Sequence, residues 1–420
     1  MLNLTFSYRI YPNALQETQM LDWMEQCRRV YNYALRERKD WMKSRRCAVN
    51  ACSLRSEYII PADTPYPNYY AQKRNLTAAR KTFPELTAVH SQVLQEASAR
   101  LDKSFRFMQQ REFGFPRFKS VGQFKSLLFP QFKTNPVTGW QIKLPKIAAV
   151  QINLHRPIPE GMVVKQVRVV KKASGWYSML VLESPVSLPD AMPIGNAIGI
   201  DLGLEKFLAV STGILVARPK FFVQLQSKLK WLQRQLKDKV KGSNNYRRAQ
   251  HKIRQLHEHI HNTRKEFHFL VAHQLCDGIQ FGDKPCKGGM IFAEDLNLKA
   301  TSSGMLAKHC LDAGWGSFLE ILGWVCRKRD VYFAKIHPNG TSQTCPNCGT
   351  HTGKKKLSER VHHCDECGYT TDRDVAAAIV VEQRGLTAVG QTVVLPVEES
   401  RQATPVKQES PRSDSWKPTP

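Results

Sequence analysis

No apolar run in this chain of 420 residues is long enough to cross a bilayer, and no charged segment followed by an apolar stretch opens it. The opening Met1-Leu-Asn-Leu-Thr-Phe-Ser-Tyr8 reads as a strand instead, so a membrane-embedded role is set aside. Internal repeats are lacking too, which removes solenoid and propeller architectures. Acidic residues are scarce. Thirty-six Asp and Glu stand against 62 Lys and Arg, leaving a formal +26 and a pI near 9.7. Such a deficit points to a polyanionic partner. The bases run from Arg28 to Arg373 instead of filling one tail, as an extended phosphate backbone touched by several domains requires. A merely soluble basic surface is the weaker reading, because so large an unpaired excess repels itself.

What is present is otherwise ordinary. A hydrophobic fraction of 42% excludes wholesale disorder, and the length allows more than one core. The eleven cysteines are an odd number, four of them in metal-ligand spacing. A reducing compartment, cytoplasm or nucleoid, is the expected setting. Cys27, Cys47, Cys52, Cys276, Cys286, Cys310 and Cys326 are then free thiols.

Along the chain, an opening strand ends at Pro12, and helical spacing follows through Leu15, Met20, Leu21, Met24, Cys27, Val30, Tyr31 and Leu35. Arg28, Arg29, Arg36, Arg38, Lys39, Lys43, Arg45 and Arg46 are interspersed with it. Cys52–Tyr70 reads as a loop, and Ala71–Gln110 as a helical stretch burying Leu86, Val89, Val93, Leu94, Ala97, Leu101 and Phe105. From Phe113 to Val186 the pattern turns to short strands, among them 115–119, 140–144, 163–170 and 176–182, which suggest a small barrel that the opening strand completes. Residues 187–197 read as a linker. Ile198–Gly213 looks like two strands about a turn. Gln224–Leu275 is a long basic helical stretch interrupted at Gly242–Asn245, carrying Lys228, Lys230, Arg234, Lys237, Arg247, Arg248, Lys252 and Arg254. Strands at 290–294 and 331–336, with helices at 318–326 and 375–382, complete the pattern. Beyond Pro396 the composition is that of a disordered tail.

Cys345-Pro-Asn-Cys348 and Cys364-Asp-Glu-Cys367 have the spacing of a zinc ribbon. Each Cys-x-x-Cys turn aims two thiolates at one point, and two turns close a tetrahedral shell. Gly349 and Gly368 follow where a knuckle needs positive φ. A closed shell means structure, so a redox role is the weaker alternative. His351, His362 and His363 are then surplus to the shell and read as surface or phosphate-contacting residues.

Three acidic residues complete the picture. Asp201 ends Ile198-Gly-Ile200, where an unpaired carboxylate is costly. Glu294 ends another apolar run, with Asp295 beside it. Asp374 opens a helix that Asp372 is equally able to cap. Each is bland alone. Together, a strand-borne Asp, a strand-end Glu and a helix-borne Asp can hold two Mg²⁺ about 4 Å apart for phosphodiester hydrolysis.

The segments Ile-Gly-Ile-Asp201-Leu-Gly, Ala-Glu294-Asp-Leu-Asn-Leu-Lys, Asp312-Ala-Gly-Trp-Gly-Ser-Phe-Leu319, Thr341-Ser-Gln-Thr-Cys-Pro-Asn-Cys-Gly and Cys-Gly-Tyr-Thr-Thr-Asp-Arg-Asp374-Val resemble the TnpB family. Tyr8-Arg-Ile-Tyr-Pro12, Cys27–Leu35, His90–Leu94 and Phe115-Pro-Arg-Phe-Lys119 are similar as well, so the resemblance extends to about residue 390. These are insertion-sequence-encoded, RNA-guided nucleases related to type V CRISPR effectors. The resemblance implies an α/β chain: an RNase H-like RuvC nuclease domain over 191–395, with a zinc ribbon at 341–371. It also implies a β-barrel wedge from 1–12 and 111–190, carrying a helical recognition insertion at 13–110. Asp201, Glu294 and Asp374 would hold catalytic Mg²⁺, and Cys345, Cys348, Cys364 and Cys367 one structural Zn²⁺. A guide RNA and a double-stranded DNA target beside a short adjacent motif are the implied partners. Phe107, Tyr69, Tyr70, Tyr8 and Trp140 are candidates for stacking on bases, against the plainer assignment to core or loops. The chain departs from the family at Ala376, where Asn is common, and in the tail beyond Pro396. A strand-transferring transposase with the same acidic triad, an RNA-guided binder that does not cut, and a zinc-ribbon transcription factor are the alternatives.

Overall fold

The computed structural model describes residues 3–46, 60–111, 114–281, 284–286, 288–301, 304–355 and 358–391. The expected thiols Cys47 and Cys52, the side chain of Cys286 and the expected tail 396–420 lie outside the described residues. The chain forms two compact units, 1–188 and 189–420.

The first unit runs β1 (Asn3–Tyr11), α1 (Ala14–Ser44), α2 (Tyr69–Thr82), α3 (Pro84–Ala88), α4 (Ser91–Arg111), β2 (Ser126–Phe129), β3 (Val137–Thr138), β4 (Gln141–Leu144), β5 (Ile147–Asn153), β6 (Val163–Lys171) and β7 (Trp176–Glu183). Its strands form one antiparallel sheet in the order β2-β6-β7-β1-β5-β4-β3, with β1 between two strands distant in sequence. The edge strands β2 and β3 do not pair with each other among the described residues. Sheet and helices share one core, in which Trp23, Leu94 and Leu101 meet Phe129, Ile142 and Leu180.

Local chemistry sets several boundaries. Asn13 and Gln16 cap α1 reciprocally, which fixes its start. The expected single helix over 71–110 is three helices, because Pro84 supplies no amide and starts a new one at its N-terminus. Residues 115–119 form no strand. Pro116 lacks a donor, and the segment is pinned instead by side chains of α1: Asn32 donates to and accepts from Lys119, and Arg28 donates to Lys119 O at 3.0 Å. Of the expected stripe on α1, Leu15 and Leu21 face solvent. Arg38, one of the bases interspersed along α1, is buried against Asp102 and Gln72 and lies over the Phe105 ring.

The second unit runs β8 (Ala197–Asp201), β9 (Lys206–Val210), β10 (Leu215–Ala217), α5 (Phe221–Lys237), α6 (Asn244–Asp277), β11 (Ile279–Phe281), β12 (Lys284–Cys286), β13 (Met290–Glu294), α7 (Leu298–Thr301), α8 (Ala307–Ala313), α9 (Trp315–Lys328), β14 (Tyr332–Ile336), β15 (Val361–His363), β16 (Thr370–Asp372) and α10 (Arg373–Ala388). The central sheet has the order β10-β9-β8-β13-β14. β8, β13 and β14 are parallel, and β9 is antiparallel to both β8 and β10.

Alternation along the strands divides this sheet into two faces. Ile198, Ile200, Ile291 and Ala293 pack with α6 and α9, through Val271, Leu275, Phe318 and Leu322. Met290 and Phe292 turn the other way and pack with Val381 of α10. On that side the helix lies on backbone. A Cβ on Gly199 would overlap Ala378 O and stand 2.6 Å from Glu382 N, and one on Gly385 would overlap the Phe292 ring. Helix α10 spans 16 residues, twice the expected extent, because its buried face continues past Glu382 through Gly385 and Leu386.

Asp312 joins the helical hairpin α5–α6 to this body. Its buried carboxylate accepts from Phe222 N at 2.8 Å, capping an α5 N-terminus that has no local cap, and pairs with Arg264 of α6 at 3.3 Å.

Gly199→Ala is expected to lower stability by about 1–3 kcal/mol or more, the cost of overpacking against immovable backbone. Gly304→Ala, where no atom stands within 4 Å of the new Cβ, is the near-neutral control. Urea denaturation of both variants checks this; equal midpoints would refute the close approach.

Candidate active site

Asp201 and Glu294 are the last residues of neighbouring parallel strands. The register pairs Ala293 with Ile200, so Glu294 and Asp201 come next side by side. Because Ile200 and Ala293 belong to the α6–α9 face, the two carboxylates turn to the face covered by α10. Asp374 approaches from the first turn of that helix. A Cβ on Gly203, two residues past Asp201, would lie 3.9 Å from Asp374 Oδ2. The helix cap is Asp372, whose carboxylate accepts from the amides of Asp374 and Val375 at 2.9 and 3.4 Å. The Asp374 carboxylate is thus spared the capping role. Asp295 stays outside the group, exposed and paired with Lys335.

The three carboxylates act on one another. Withdrawal from water, then the charges of Glu294 and Asp374, push Asp201 up to about 8, against the opposing pull of Arg373 and a Leu202 amide. Burial likewise raises Glu294, with Thr341 and Arg384 opposing. Burial and the charge of Asp372 raise Asp374, while Arg360 and Arg373 pull it down. All three are driven toward the uncharged acid, the mark of oxygen donors gathered without enough positive charge between them. A hard divalent cation fits that donor set. The carboxylate oxygens do not all lie within 4.8 Å of one another, so the group is wider than one tight shell.

Thr341 has no role in the sequence reading, yet it is buried and its hydroxyl donates to Glu294 Oε1. The only advance signal was its place at the head of the Thr-Ser-Gln-Thr-Cys segment. Ala376, the departure from the family pattern, is buried on α10.

The four cysteines meet as the spacing predicts. Their sulfurs all lie within 4.8 Å of one another, with Cys345–Cys367 at 3.7 Å and Cys348–Cys364 at 3.6 Å. A zinc tetrahedron with bonds of about 2.3 Å has edges of about 3.8 Å, so the thiolates fit that ion. Gly349 and Gly368 take φ of 76° and 68°. The ribbon's hairpin β15–β16 pairs Val361 with Asp372, and the next residue begins α10. Arg360 of the ribbon also pairs with Glu205, beyond β8, at 2.5 Å.

One expectation fails here. His362 is buried, in contact with Lys355, and burial then the Lys355 charge hold its imidazole down to about 4, so it is not a surface residue. Its alternation within β15 puts it inward, between the exposed Val361 and His363. Tyr8 takes the plainer core assignment: it is fully buried with its hydroxyl donating to Arg156 O, and it is no stacking candidate. Tyr70, Phe107 and Trp140 are exposed.

Comparison with known proteins gives three family matches: a Cas12f1-like TNB domain over residues 315–381, the IS605 OrfB "Probable transposase" domain over 179–280, and a "Helix-turn-helix domain" over 1–47. The described part of the last forms β1 and one continuous 31-residue helix. The chain is 29% identical to "Putative RNA-guided DNA endonuclease InsQ" of Escherichia coli (strain K12), covering 96% of each chain. It is also 29% identical to a "Putative RNA-guided DNA endonuclease" of Streptomyces pristinaespiralis, covering 98% of each. Its fold is similar to the protein in a Cas12f1–sgRNA–target DNA complex, with a TM-score of 0.55 at 13% identity over 91% of this chain and 98% of that one. No described helix is long and apolar enough to cross a membrane.

Asp201 makes stability pH-dependent in the absence of Mg²⁺. Its folded-state value, about 8, lies above the unfolded value of about 3.9. The folded chain therefore binds more protons between those limits, and stability falls as pH rises through them. Asp201→Asn is expected to melt above wild type near pH 8 but not near pH 4, and Mg²⁺ to stabilise wild type near pH 8 more than the variant. Parallel melts of both proteins with zinc retained check this; superimposable pH profiles would refute the clustering.

Cys345→Ser is expected to lose zinc and to raise hydrogen exchange first at the start of α10, leaving β8 and β13 protected. Zinc titration with exchange mass spectrometry reads both.

Proposed function

The chain is a TnpB-type protein carrying IS605 OrfB domains, and on that premise we propose that it is an RNA-guided DNA endonuclease associated with a transposable element. The carrying observation is the set of three carboxylates at two parallel strand ends and a helix start, two of them repelling charge on the third, Asp201, inside a chain of formal charge +26. A polyanion-binding protein has little use for such a cluster unless cations convert it into a place for phosphate.

Asp201, Glu294 and Asp374 are the proposed ligands of two catalytic Mg²⁺. Bound there, the ions would lower the pKa of an attacking water and stabilise the leaving 3′ oxygen of a phosphodiester. The chain's own part is positioning. Rigid strand ends fix Asp201 and Glu294, the Thr341 hydroxyl engages one oxygen of Glu294 and leaves the other for an ion, and the Asp372 cap leaves Asp374 available. The sheet order, with β9 reversed, and the likeness in fold to a Cas12f1 protein support reading 191–395 as an RNase H-like RuvC domain with the ribbon inserted at 341–371. The sulfur geometry supports one structural Zn²⁺. In this reading 1–12 and 111–190 are the wedge and 13–110 the recognition helices. The partners are a guide RNA and DNA, as the names of the relatives support; in the same reading the DNA is a duplex beside a short adjacent motif.

Protein purified with its RNA is expected to yield one discrete structured RNA on sequencing, and to cut matched duplex DNA with Mg²⁺. Asp201→Ala should reduce cutting by roughly 10³-fold, the several kcal/mol supplied by ligand-held metal, while leaving guided binding intact. Guided binding without cutting by wild type would overturn the nuclease reading. Strand joining without RNA would favour a transposase instead.

A further inference from the structure

Helix α5 turns one face inward and leaves the other unpartnered. Phe221, Leu229 and Leu232 are buried against Leu256 and Ile260 of α6, with Leu225 partly buried beside them. On the opposite side, Gln224, Ser227, Lys228, Trp231, Arg234 and Gln235 recur at three- and four-residue intervals, and all are exposed. Trp231 stands 55% exposed in the middle of that face, one turn from Lys228 on one side and from Arg234 on the other. Neither cation forms an ion pair among the described residues.

The surroundings reinforce the pattern. Between Phe221 and Asp277 twelve Lys and Arg stand against four Asp and Glu, a net +8. A protein partner docked through an exposed tryptophan would be expected to balance such charge with acids of its own. An unpaired nucleotide meets both demands at once: its base has a flat apolar face, and phosphates lie on either side of it. Lys228 and Arg234 are spaced to meet those phosphates, and the glutamines offer hydrogen bonds to base edges or sugar. A double helix hides its base faces in the stack, so a side chain lying flat on a helix surface gains little from one.

We propose that Trp231, flanked by Lys228 and Arg234, is a stacking platform for an unpaired base of single-stranded nucleic acid. This rests on the reading of the chain as a nucleic-acid enzyme and adds to it a site remote in sequence from the carboxylates. The strand is either an unpaired part of the RNA or a displaced strand of the DNA target; the shared chemistry is one unstacked base between phosphates.

The test uses the full chain, stripped of co-purified RNA. Fluorescence anisotropy is measured with labelled RNA and DNA single strands of about 15 nucleotides and with a DNA duplex of the same sequence. Trp231→Ala is expected to weaken binding of at least one single strand about 5- to 150-fold, the range for one lost base stack, while duplex binding is unchanged. Trp231→Phe should retain most of the affinity. The joint Lys228→Gln and Arg234→Gln variant should lower the slope of log affinity against log salt by about 1.4, two phosphate contacts on a single strand. Whichever single strand responds, RNA or DNA, identifies the source. Unchanged affinity of Trp231→Ala for both single strands, or an equal loss for the duplex, overturns the platform while leaving guided cleavage to stand on its own assay. Failure of wild type to bind any of the three probes would overturn the nucleic-acid reading itself.

Discussion

Helix α10 rests on the backbone of β8, and the geometry of the carboxylate group follows from that contact. Two glycines make it possible, Gly199 beneath the helix and Gly385 within it, where side chains would collide with backbone or with Phe292. A helix seated on side chains alone could slide or tilt to relieve repulsion between the acid at its start and the acids at the strand ends. Seated on backbone, it has no such freedom, because close-packed interiors yield little. The repulsion is then held in the fold and, added to the larger effect of burial, keeps Asp201 toward its uncharged form.

The ribbon acts at the other end of the same helix problem. Helix termini fray, and a ligand on the first turn is only as well placed as that turn. Here the strand preceding α10 is one arm of a hairpin anchored at the cysteine cluster, and its last residue caps the helix. Arg360 ties the other arm to the loop after β8 through Glu205. The cysteine cluster thus orders the start of the helix from outside, while the glycines order its body from within.

How much of this was legible follows from what a sequence pattern can report. Spacing located the cysteines and the strand-end acids because both are local signals: two thiols per turn, a carboxylate closing an apolar run. Periodicity located α9, β13 and β14 to within a few residues. It misjudged Leu15 and Leu21, because a helical stripe records what is apolar and not what the neighbouring elements cover. His362 was misread for the converse reason: a polar residue in a short strand is counted as available until the neighbour that covers it, here Lys355, is in place. Gly199 and Thr341 escaped notice for lack of any local signature. Their importance lies in atoms of Ala378 and Glu382, far along the chain from Gly199, and of Glu294, 47 residues from Thr341.

The helical hairpin sits in the connection between β10 and β13, with a small apolar core of its own between α5 and α6. Its attachment to the rest of the unit is at its base, where Val271 and Leu275 of α6 pack on the sheet and the Asp312 carboxylate of α8 caps α5 and pairs with Arg264. The tip, between Lys237 and Asn244, adds nothing to the sheet's packing. Exposed tips of this kind tolerate added length far better than packed segments do. The hairpin is therefore the part of the second unit best suited to grow, shrink or accept a grafted segment without retuning the carboxylates, a modularity that follows from anchoring an insertion at its root alone.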